Sequence, residues 1–525
     1  MPNSNIVLIG FQDQGNLGLG YLGAVLQQAG FRPTILEFRD EPESLAAAIL
    51  NLNPLILGFS LIFQYYLPQF ARLAAYFRDC GISAYFTTGG HFPTLEPAYV
   101  LRTIPQMDSV VRGEGEETLV ELARCLRTEV DWRMLHGLAF RNGDDIVVNP
   151  SRPLIADLDS LPHPLRSFKL PTVFGWSIAP ILASRGCARS CTFCSIHQFY
   201  RTSPGKAVRI RQPRRVAEEM LWLYSHEQVR IFLFQDDDFP VWGKFGRRWV
   251  DSFLAALREY GLHENVLWKI SCRADQVESQ LFQRMRECGL YEVYLGIESG
   301  TEQGLAALGK QTTVADNREA VRILRELDLI LRCGFMMFDP STTLASLREN
   351  LAFERWLVDD DMVAAAISRT MPYAGTSLKQ QLVQEGRLLG SVETPDYSYQ
   401  DVRVSELFNS LEPLVRIWVY GQESIVNQVN WAWEEFGVLL RLFPPMPGSD
   451  DYRERLKGVT RAANDYLLNT FEQVMDTFEG SASVSLQSET IAAASESLTA
   501  TLLSCRNEFV MNNSQTILSA CPLVA

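Results

Sequence analysis

Ser184-Arg185-Gly186-Cys187-Ala188-Arg189-Ser190-Cys191-Thr192-Phe193-Cys194 is the stretch on which the reading of this chain turns. Three cysteines spaced C-x3-C-x2-C follow the apolar, strand-like run Ile178-Ala179-Pro180-Ile181-Leu182-Ala183. Thiolates this close suit an inorganic centre, and a short loop can wrap one small cluster. Three ligands on a four-iron cubane leave one iron open to a substrate or cosubstrate. Two simpler readings compete. Cys187, Cys191 and Cys194 with His197 could form a zinc site, or the three could be incidental reduced cysteines. A structural zinc set usually comes as two separated pairs, and no other C-x2-C spacing occurs in the chain.

The same spacing, directly after a strand, resembles the signature of the radical S-adenosylmethionine (SAM) enzymes. The resemblance implies a [4Fe-4S] cluster on Cys187, Cys191 and Cys194, with SAM on the open iron and reductive cleavage to a 5′-deoxyadenosyl radical. It also makes Phe193 a candidate SAM contact.

The chain has 525 residues, enough for roughly two to four domains. It is 47% apolar and 21% charged, as in ordinary globular proteins. A formal charge of -14 argues against bulk nucleic-acid or anionic-membrane partners. Arg201 to Arg215 carries six Arg and Lys residues, which reads as a solvated loop with a local anion contact as the alternative. Cys80, Cys125, Cys272, Cys288, Cys333, Cys505 and Cys521 are scattered and read as reduced core residues. Nothing near Met1 resembles a signal peptide, and no run is long enough for a membrane span. The expectation is a cytoplasmic protein.

Ahead of the cysteine loop, strands alternate with helices. Strands are expected at Ile6–Gly10, Thr34–Phe38, Leu55–Ser60, Ala84–Gly90 and Asp108–Gly113, and helices over Leu17–Gly30 and Glu43–Leu52. This is the pattern of a doubly wound, Rossmann-like α/β sheet, whose ligands gather at the carboxyl ends of its strands. The loops there resemble the cobalamin-binding domain that precedes many radical SAM domains, with its D-x-H-x-x-G, S-x-L and G-G stretches. The matching positions are Asp13, Gly15, Asn16 and Gly18, then Ser60 and Leu61, then Gly89 and Gly90, with Gly113 and Glu114 in a further similar stretch. Gly15 stands where the family's histidine would ligate cobalt from below. The resemblance therefore implies bound cobalamin with its dimethylbenzimidazole tail threaded into the sheet and no histidine on the metal. Glycines would let the backbone approach that tail. The alternatives are turn glycines of a nucleotide-binding fold, without G-x-G-x-x-G, and a methylthiotransferase-like domain. The latter should add three cluster cysteines, where residues 1–150 hold only Cys80 and Cys125.

Domain 1–140 is followed by a proline-rich linker over 141–177 and a second α/β segment over 178–390. Strands at Val229–Phe234, Trp268–Cys272, Glu292–Ile297, Leu331–Met337 and Met362–Ser368, counted with the run before the cysteines, make six β/α units. This matches the partial (β/α)6, TIM-like barrel of radical SAM enzymes. Chemistry in such folds collects at the strand ends. By resemblance, Asp236 and Asp237 would hold the SAM ammonium, Arg273 beside Ser271 its carboxylate, and Glu298 in Gly296-Ile297-Glu298-Ser299-Gly300 its ribose or amino group. Met336, with Phe335, Ser368 and Arg369, occupies matching places on the last two strands. Phe338-Asp339-Pro340-Ser341-Thr342-Thr343 departs from the family's glycine-rich turn.

Residues 391–525 read as a helical, substrate-related domain whose Ser/Ala/Thr-rich end, 480–525, is peripheral or partly mobile. Trp418, Trp431, Trp433 and Phe436 read as helical core.

Together these resemblances imply a cobalamin-dependent radical SAM enzyme. The expected activity is C-methylation of an unactivated carbon in a small-molecule or peptide substrate, with an electron donor such as flavodoxin or ferredoxin. The alternatives are a B12-dependent cyclase or ring-rearranging enzyme without methyl transfer, and a non-enzymatic cobalamin or iron–sulfur sensor.

Overall fold

The computed structural model describes residues 3–12, 15–166, 168–421, 423–480 and 486–520. The chain forms two compact units. One comprises Met1–Pro171, Ala179–Arg215 and Met371–Tyr397; the other comprises Thr172–Ile178, Val216–Thr370 and Ser398–Ala525.

The first unit is built on a seven-stranded sheet. Its strands are β1 (Asn5–Gly10), β2 (Arg32–Glu37), β3 (Ile56–Ser60), β4 (Tyr85–Gly89), β5 (Ser109–Val111), β6 (Leu138–Asn142) and β7 (Asp145–Val148), in the order β2-β1-β3-β4-β5-β6-β7. β1 to β5 are parallel. β1 shows why the sheet is doubly covered. Val7 and Ile9 enter one core with Phe59, Phe70 and Phe86, whereas Ile6 and Leu8 enter another with Leu19, Leu26 and Leu119. The two-residue period of a strand sends alternate side chains to opposite faces, and an apolar run needs helices on both.

The sheet also extends past its expected end. Residues 141–148, read from the sequence as the start of a linker, complete an antiparallel hairpin with β6 against β5. Its two-residue turn is Gly143-Asp144, with Gly143 at φ +62°, a hairpin signal already legible in the sequence.

β8 (Thr172–Val173) and β9 (Trp176–Ile181) belong to the second sheet. After them, β10 (Ser184–Arg185) and β11 (Arg209–Ile210) pair antiparallel as a two-stranded neck, Arg185 opposite Arg209. The cysteine loop lies between them. Met371–Tyr397 returns to this unit: Ala374 N donates to Gln64 Oε1 (2.7 Å), and Gln64 Nε2 donates to the Val392 carbonyl (2.5 Å).

The second unit holds β12 (Val229–Phe234), β13 (Leu267–Arg273), β14 (Leu290–Glu298), β15 (Ile330–Phe338) and β16 (Ser368–Arg369). The sheet order is β16-β15-β14-β13-β12-β9-β8, an open half-barrel with β12 to β16 parallel and β8 antiparallel on its edge. Helices between the strands start at clear caps, such as Thr313 and Thr343, whose hydroxyls accept from the backbone three residues on.

β16 is much shorter than the expected Met362–Ser368. The Val363 carbonyl and Ala365 N–H are bound by the side-chain amide of Asn464 (2.9 and 2.8 Å), so a helix replaces the neighbouring strand.

Five helices complete the unit: Val402–Trp418, Ile425–Leu442, Ser449–Glu479, Ser488–Asn512 and Ser514–Ala520. The Ser/Ala/Thr-rich end is not peripheral. Ile491, Leu502, Cys505 and Phe509 are buried, and Phe509 stacks on Tyr452 at 4.6 Å. Trp418, Trp433 and Phe436 are core as expected; Trp431 is half exposed. Among the described residues no helix is long and apolar enough to cross a membrane. Cys521 lies outside the described residues.

Candidate functional site

Each unit carries part of the candidate chemistry. In the first, the loops after β3, β4 and β5 are tied together. Leu61 N donates to the Gly89 carbonyl (2.9 Å). Thr94 Oγ1 donates to the Gly90 carbonyl (2.7 Å) and accepts from Gly113 N (3.0 Å). Ser60, Leu61, Gly89, Gly90 and Gly113 are thus gathered at the carboxyl end of the sheet. Gly90 has φ +111°, and a Cβ there would overlap the Leu61 carbonyl, so only glycine fits.

Asp13 lies outside the described residues. Gly15 has φ +70°, and a Cβ on it would lie 2.6 Å from both Phe168 Cζ and Pro180 Cγ. A side chain where the family's histidine would stand has to displace the Phe168 and Pro180 rings and adopt a left-handed backbone. Asn16 caps the helix Leu17–Gln28: its Oδ1 accepts from Leu19 N (3.0 Å) and its Nδ2 donates to the Phe11 carbonyl (3.2 Å). Gly18 leaves room beside that cap. The next helix glycines, Gly20 and Gly23, make way for Pro164 and Leu165 of this chain rather than for a ligand.

His91, directly after Gly89-Gly90, was missed in the sequence. Its ring meets Phe199 edge-on at 4.4 Å, and burial pushes its imidazole down to about 4, so it is neutral at physiological pH. The Cβ-free backbone at Gly89 and Gly90 lets a bulky macrocycle approach the strand ends closely.

The cysteine loop begins at Gly186, φ +87°, where a Cβ would overlap the Ala207 carbonyl. Cys187, Cys191 and Cys194 are all partly exposed. Cys194 N donates to the Cys191 carbonyl (3.2 Å), and Arg189 N donates to Cys187 Sγ (3.5 Å). Phe193 is half-buried. Leu378 N holds the Thr192 carbonyl (3.0 Å). Among the described residues no three His, Cys, Asp or Glu side chains converge on a single-ion site. Three thiolates that each bind a different corner of a cubane do not need to converge in that way, and the donor set fits a [4Fe-4S] cluster.

The neck carries charge into the interior. Arg185 pairs with Glu114 (2.9 Å) and Glu116 (2.7 Å), and Arg209 with Glu114 (2.7 Å). Burial pushes the Glu114 carboxyl up, but the two guanidiniums overcome it and hold the group below the usual carboxylate range. Arg211 pairs with Asp159 (3.2 Å). Two of the six basic residues expected on a solvated loop, Arg209 and Arg211, are therefore buried structural cations.

In the second unit, the polar strand ends of the half-barrel form another group. Asp236 is buried and Asp237 exposed. Asp238, buried beside them, accepts from Gln276 Nε2 (3.0 Å), and burial pushes its carboxyl up. The Ser271 carbonyl accepts from Phe239 N (3.1 Å). Arg273 is buried, with Nε on Asp275 Oδ1 (2.9 Å) and Nη2 on the Lys310 carbonyl.

Glu298 adopts φ +67°, and its Oε1 accepts from Lys310 Nζ (2.9 Å). A Cβ on Gly296 would lie 2.7 Å from both of those atoms. Lys310 follows a short helix in no recognisable pattern, so the sequence offered no signal for it. Met336 is buried and takes the Thr370 hydroxyl on its sulfur (3.2 Å). Phe335 stacks on Phe353 and so serves the packing. Arg369 lies over the Tyr399 and Phe408 rings.

Comparison with known proteins agrees with this division. Residues 10–123 match the B12 binding domain and residues 181–353 match the Radical SAM superfamily. The chain is 28% identical over 462 residues to the anaerobic magnesium-protoporphyrin IX monomethyl ester cyclase of Cereibacter sphaeroides, covering 85% of this chain and 70% of that one. It is 27% identical over 433 residues to an uncharacterized methyltransferase of Pyrococcus horikoshii, covering 80% and 87%. In fold it is similar to the cobalamin-dependent SAM radical enzyme OxsB solved with aqua-cobalamin and S-adenosylmethionine, with TM-score 0.68, 16% identity and coverage of 98% and 81%.

The chain is a radical SAM protein with an N-terminal B12-binding domain. It belongs with the enzymes of that class, whose cofactors are a [4Fe-4S] cluster, SAM and cobalamin.

Proposed function

We propose that the chain is a C-methyltransferase acting on an unactivated carbon of a small-molecule or peptide substrate, with a flavodoxin- or ferredoxin-like electron donor. The observation that carries this reading is the pairing, within one chain, of a three-cysteine loop with a cobalamin-type glycine floor that has a glycine, packed against Phe168 and Pro180, at position 15. Bound together, these cofactors supply a 5′-deoxyadenosyl radical and a methyl group that needs no activated acceptor.

The chain's own residues hold and orient. Cys187, Cys191 and Cys194 would ligate three irons and leave the fourth for SAM. Asp236 and Asp237 would take the SAM ammonium, Glu298 its ribose or amino group, and Arg273 its carboxylate, with Ser271, Gly296, Met336 and Phe193 shaping the site. The loops at Asn16, Gly18, Ser60, Leu61, Gly89, Gly90 and Gly113 would bear on cobalamin, and Asp13 belongs with them by resemblance. The similarity to a named cyclase supports a second reading, cyclisation without methyl transfer.

The test is anaerobic reconstitution with iron, sulfide and hydroxocobalamin, then dithionite and SAM, with nucleosides read by mass spectrometry. 5′-Deoxyadenosine together with S-adenosylhomocysteine supports methyl transfer, and 5′-deoxyadenosine alone supports cyclisation. No SAM cleavage by reduced wild type, matching a Cys191→Ala control, leaves only the sensor reading.

A further inference from the structure

The neck ion pairs assign Glu114 a different task from the cofactor contact that its motif implies. The carboxylate is fully engaged. Oε1 accepts from Arg185 (2.9 Å), and Oε2 accepts from Arg209 (2.7 Å) and from Ile155 N (2.7 Å). Arg185 and Arg209 are cross-strand partners that close the base of the cysteine loop, and Arg185 stands two residues before Cys187. Their side chains are 11% and 4% exposed, and that of Glu114 is 6% exposed, so water does not compete for these bonds. Arg209 also donates to the Ile155 carbonyl (3.1 Å), and the two guanidiniums lie over the Tyr200 and Tyr21 rings. Glu116 takes the second fork of Arg185 (2.7 Å).

One acidic turn of the B12-binding domain, Gly113-Glu114-Gly115-Glu116, therefore grips both strands from which the cluster loop projects.

The geometry points to Glu114 as a positioning residue for the iron–sulfur cluster: it fixes the neck of the ligand loop and does not contact the corrinoid. The inference rests on the cofactor assignment proposed above. Removing a residue that holds metal ligands in place through others commonly costs about tenfold or more in metal affinity or activity, although that residue does not touch the metal.

The experiment compares full-length wild type, Glu114→Gln and Arg209→Lys after anaerobic reconstitution. Iron retained after gel filtration, the electron paramagnetic resonance spectrum of the reduced cluster with and without SAM, and the Kd for aquocobalamin are read on each. Glu114→Gln is expected to lose most of its iron or to show an altered SAM-bound spectrum, with aquocobalamin affinity within about twofold of wild type. Arg209→Lys keeps the charge but loses the fork, and should shift the same spectrum in a milder way; it carries the test if Glu114→Gln does not fold. A rise of Kd for aquocobalamin with an unchanged cluster spectrum overturns the inference in favour of a corrinoid contact. Loss of both properties, or of neither, overturns it as well. Should wild type itself take up no iron or no aquocobalamin, the cofactor assignment fails first and the inference falls with it.

Discussion

Lys310 Nζ lies 2.9 Å from Glu298 Oε1, directly over Gly296, at the carboxyl end of the half-barrel. Glu298 is held at φ +67°, a conformation that costs a non-glycine residue of order 1–3 kcal/mol and persists only when its surroundings enforce it. The bulge at which β14 shifts register between Gly296 and Glu298 holds that backbone, and Lys310 holds the carboxylate. Gly296 keeps the space in which the pair forms. Gly296→Ala would put a methyl 2.7 Å from both charged atoms and break the pair. SAM affinity of the reconstituted protein, measured by calorimetry, should fall by about tenfold or more, the equivalent of a lost charged hydrogen bond. Lys310→Ala should act in the same direction. Unchanged affinity in both would remove Glu298 from the SAM site.

Position 15 gives a sharper test of the cobalamin floor. Gly15→His reproduces the residue found at that point in cobalamin domains with a lower histidine ligand. Here its Cβ would strike Phe168 and Pro180, on a backbone with positive φ. The variant should lose about 1–3 kcal/mol of stability. Its cob(II)alamin spectrum should gain no nitrogen splitting. A clear imidazole splitting would show that the loop can open, contrary to the packing described.

Glu354 sets a pH dependence. It is fully buried in the helix Leu344–Leu357 with no ion-pair partner among the described residues, and burial pushes its carboxyl well above the usual range. A raised acid pKa means that the folded state binds the proton more tightly than the unfolded one. Stability is then fully present below the ordinary value of 4.5 and declines as pH rises toward the folded value. Glu354→Gln removes that decline. The Tm of the variant should exceed that of wild type by a margin that grows between pH 5 and pH 8. A margin independent of pH would contradict the assignment.

Glu434 joins the C-terminal helix Ile425–Leu442 to the half-barrel. It accepts from Lys269 of β13 (2.8 Å) and Arg332 of β15 (2.6 Å). Burial opposes its ionisation, but those two cations hold its carboxyl low, whereas burial pushes neighbouring Glu292 up. Glu434→Ala leaves Lys269 and Arg332 with Glu292 alone (3.8 and 3.2 Å) and should cost about 2–4 kcal/mol in denaturant unfolding. A loss below about 1 kcal/mol, the range of exposed pairs, would show that the cluster is solvated.

By itself the sequence determined what local chemistry can determine. The apolar period of β1, the helix Leu17–Gln28 with its Asn16 cap, and the three cysteines behind Gly186 all depend on neighbours a few positions away. The hairpin turn Gly143-Asp144 was equally local. It was legible, and the surrounding proline-rich composition hid it.

Only the tertiary structure decided the partners. Glu114 and Arg185 lie 71 positions apart, and Ala365 and Asn464 lie 99 apart. Such pairs form because folding buries a charge or a backbone group that must then be satisfied by whatever packing brings near. No spacing rule encodes that choice. The same physics gave Glu114 two arginines at the neck of the cysteine loop, and gave Glu298 a lysine that no pattern announced.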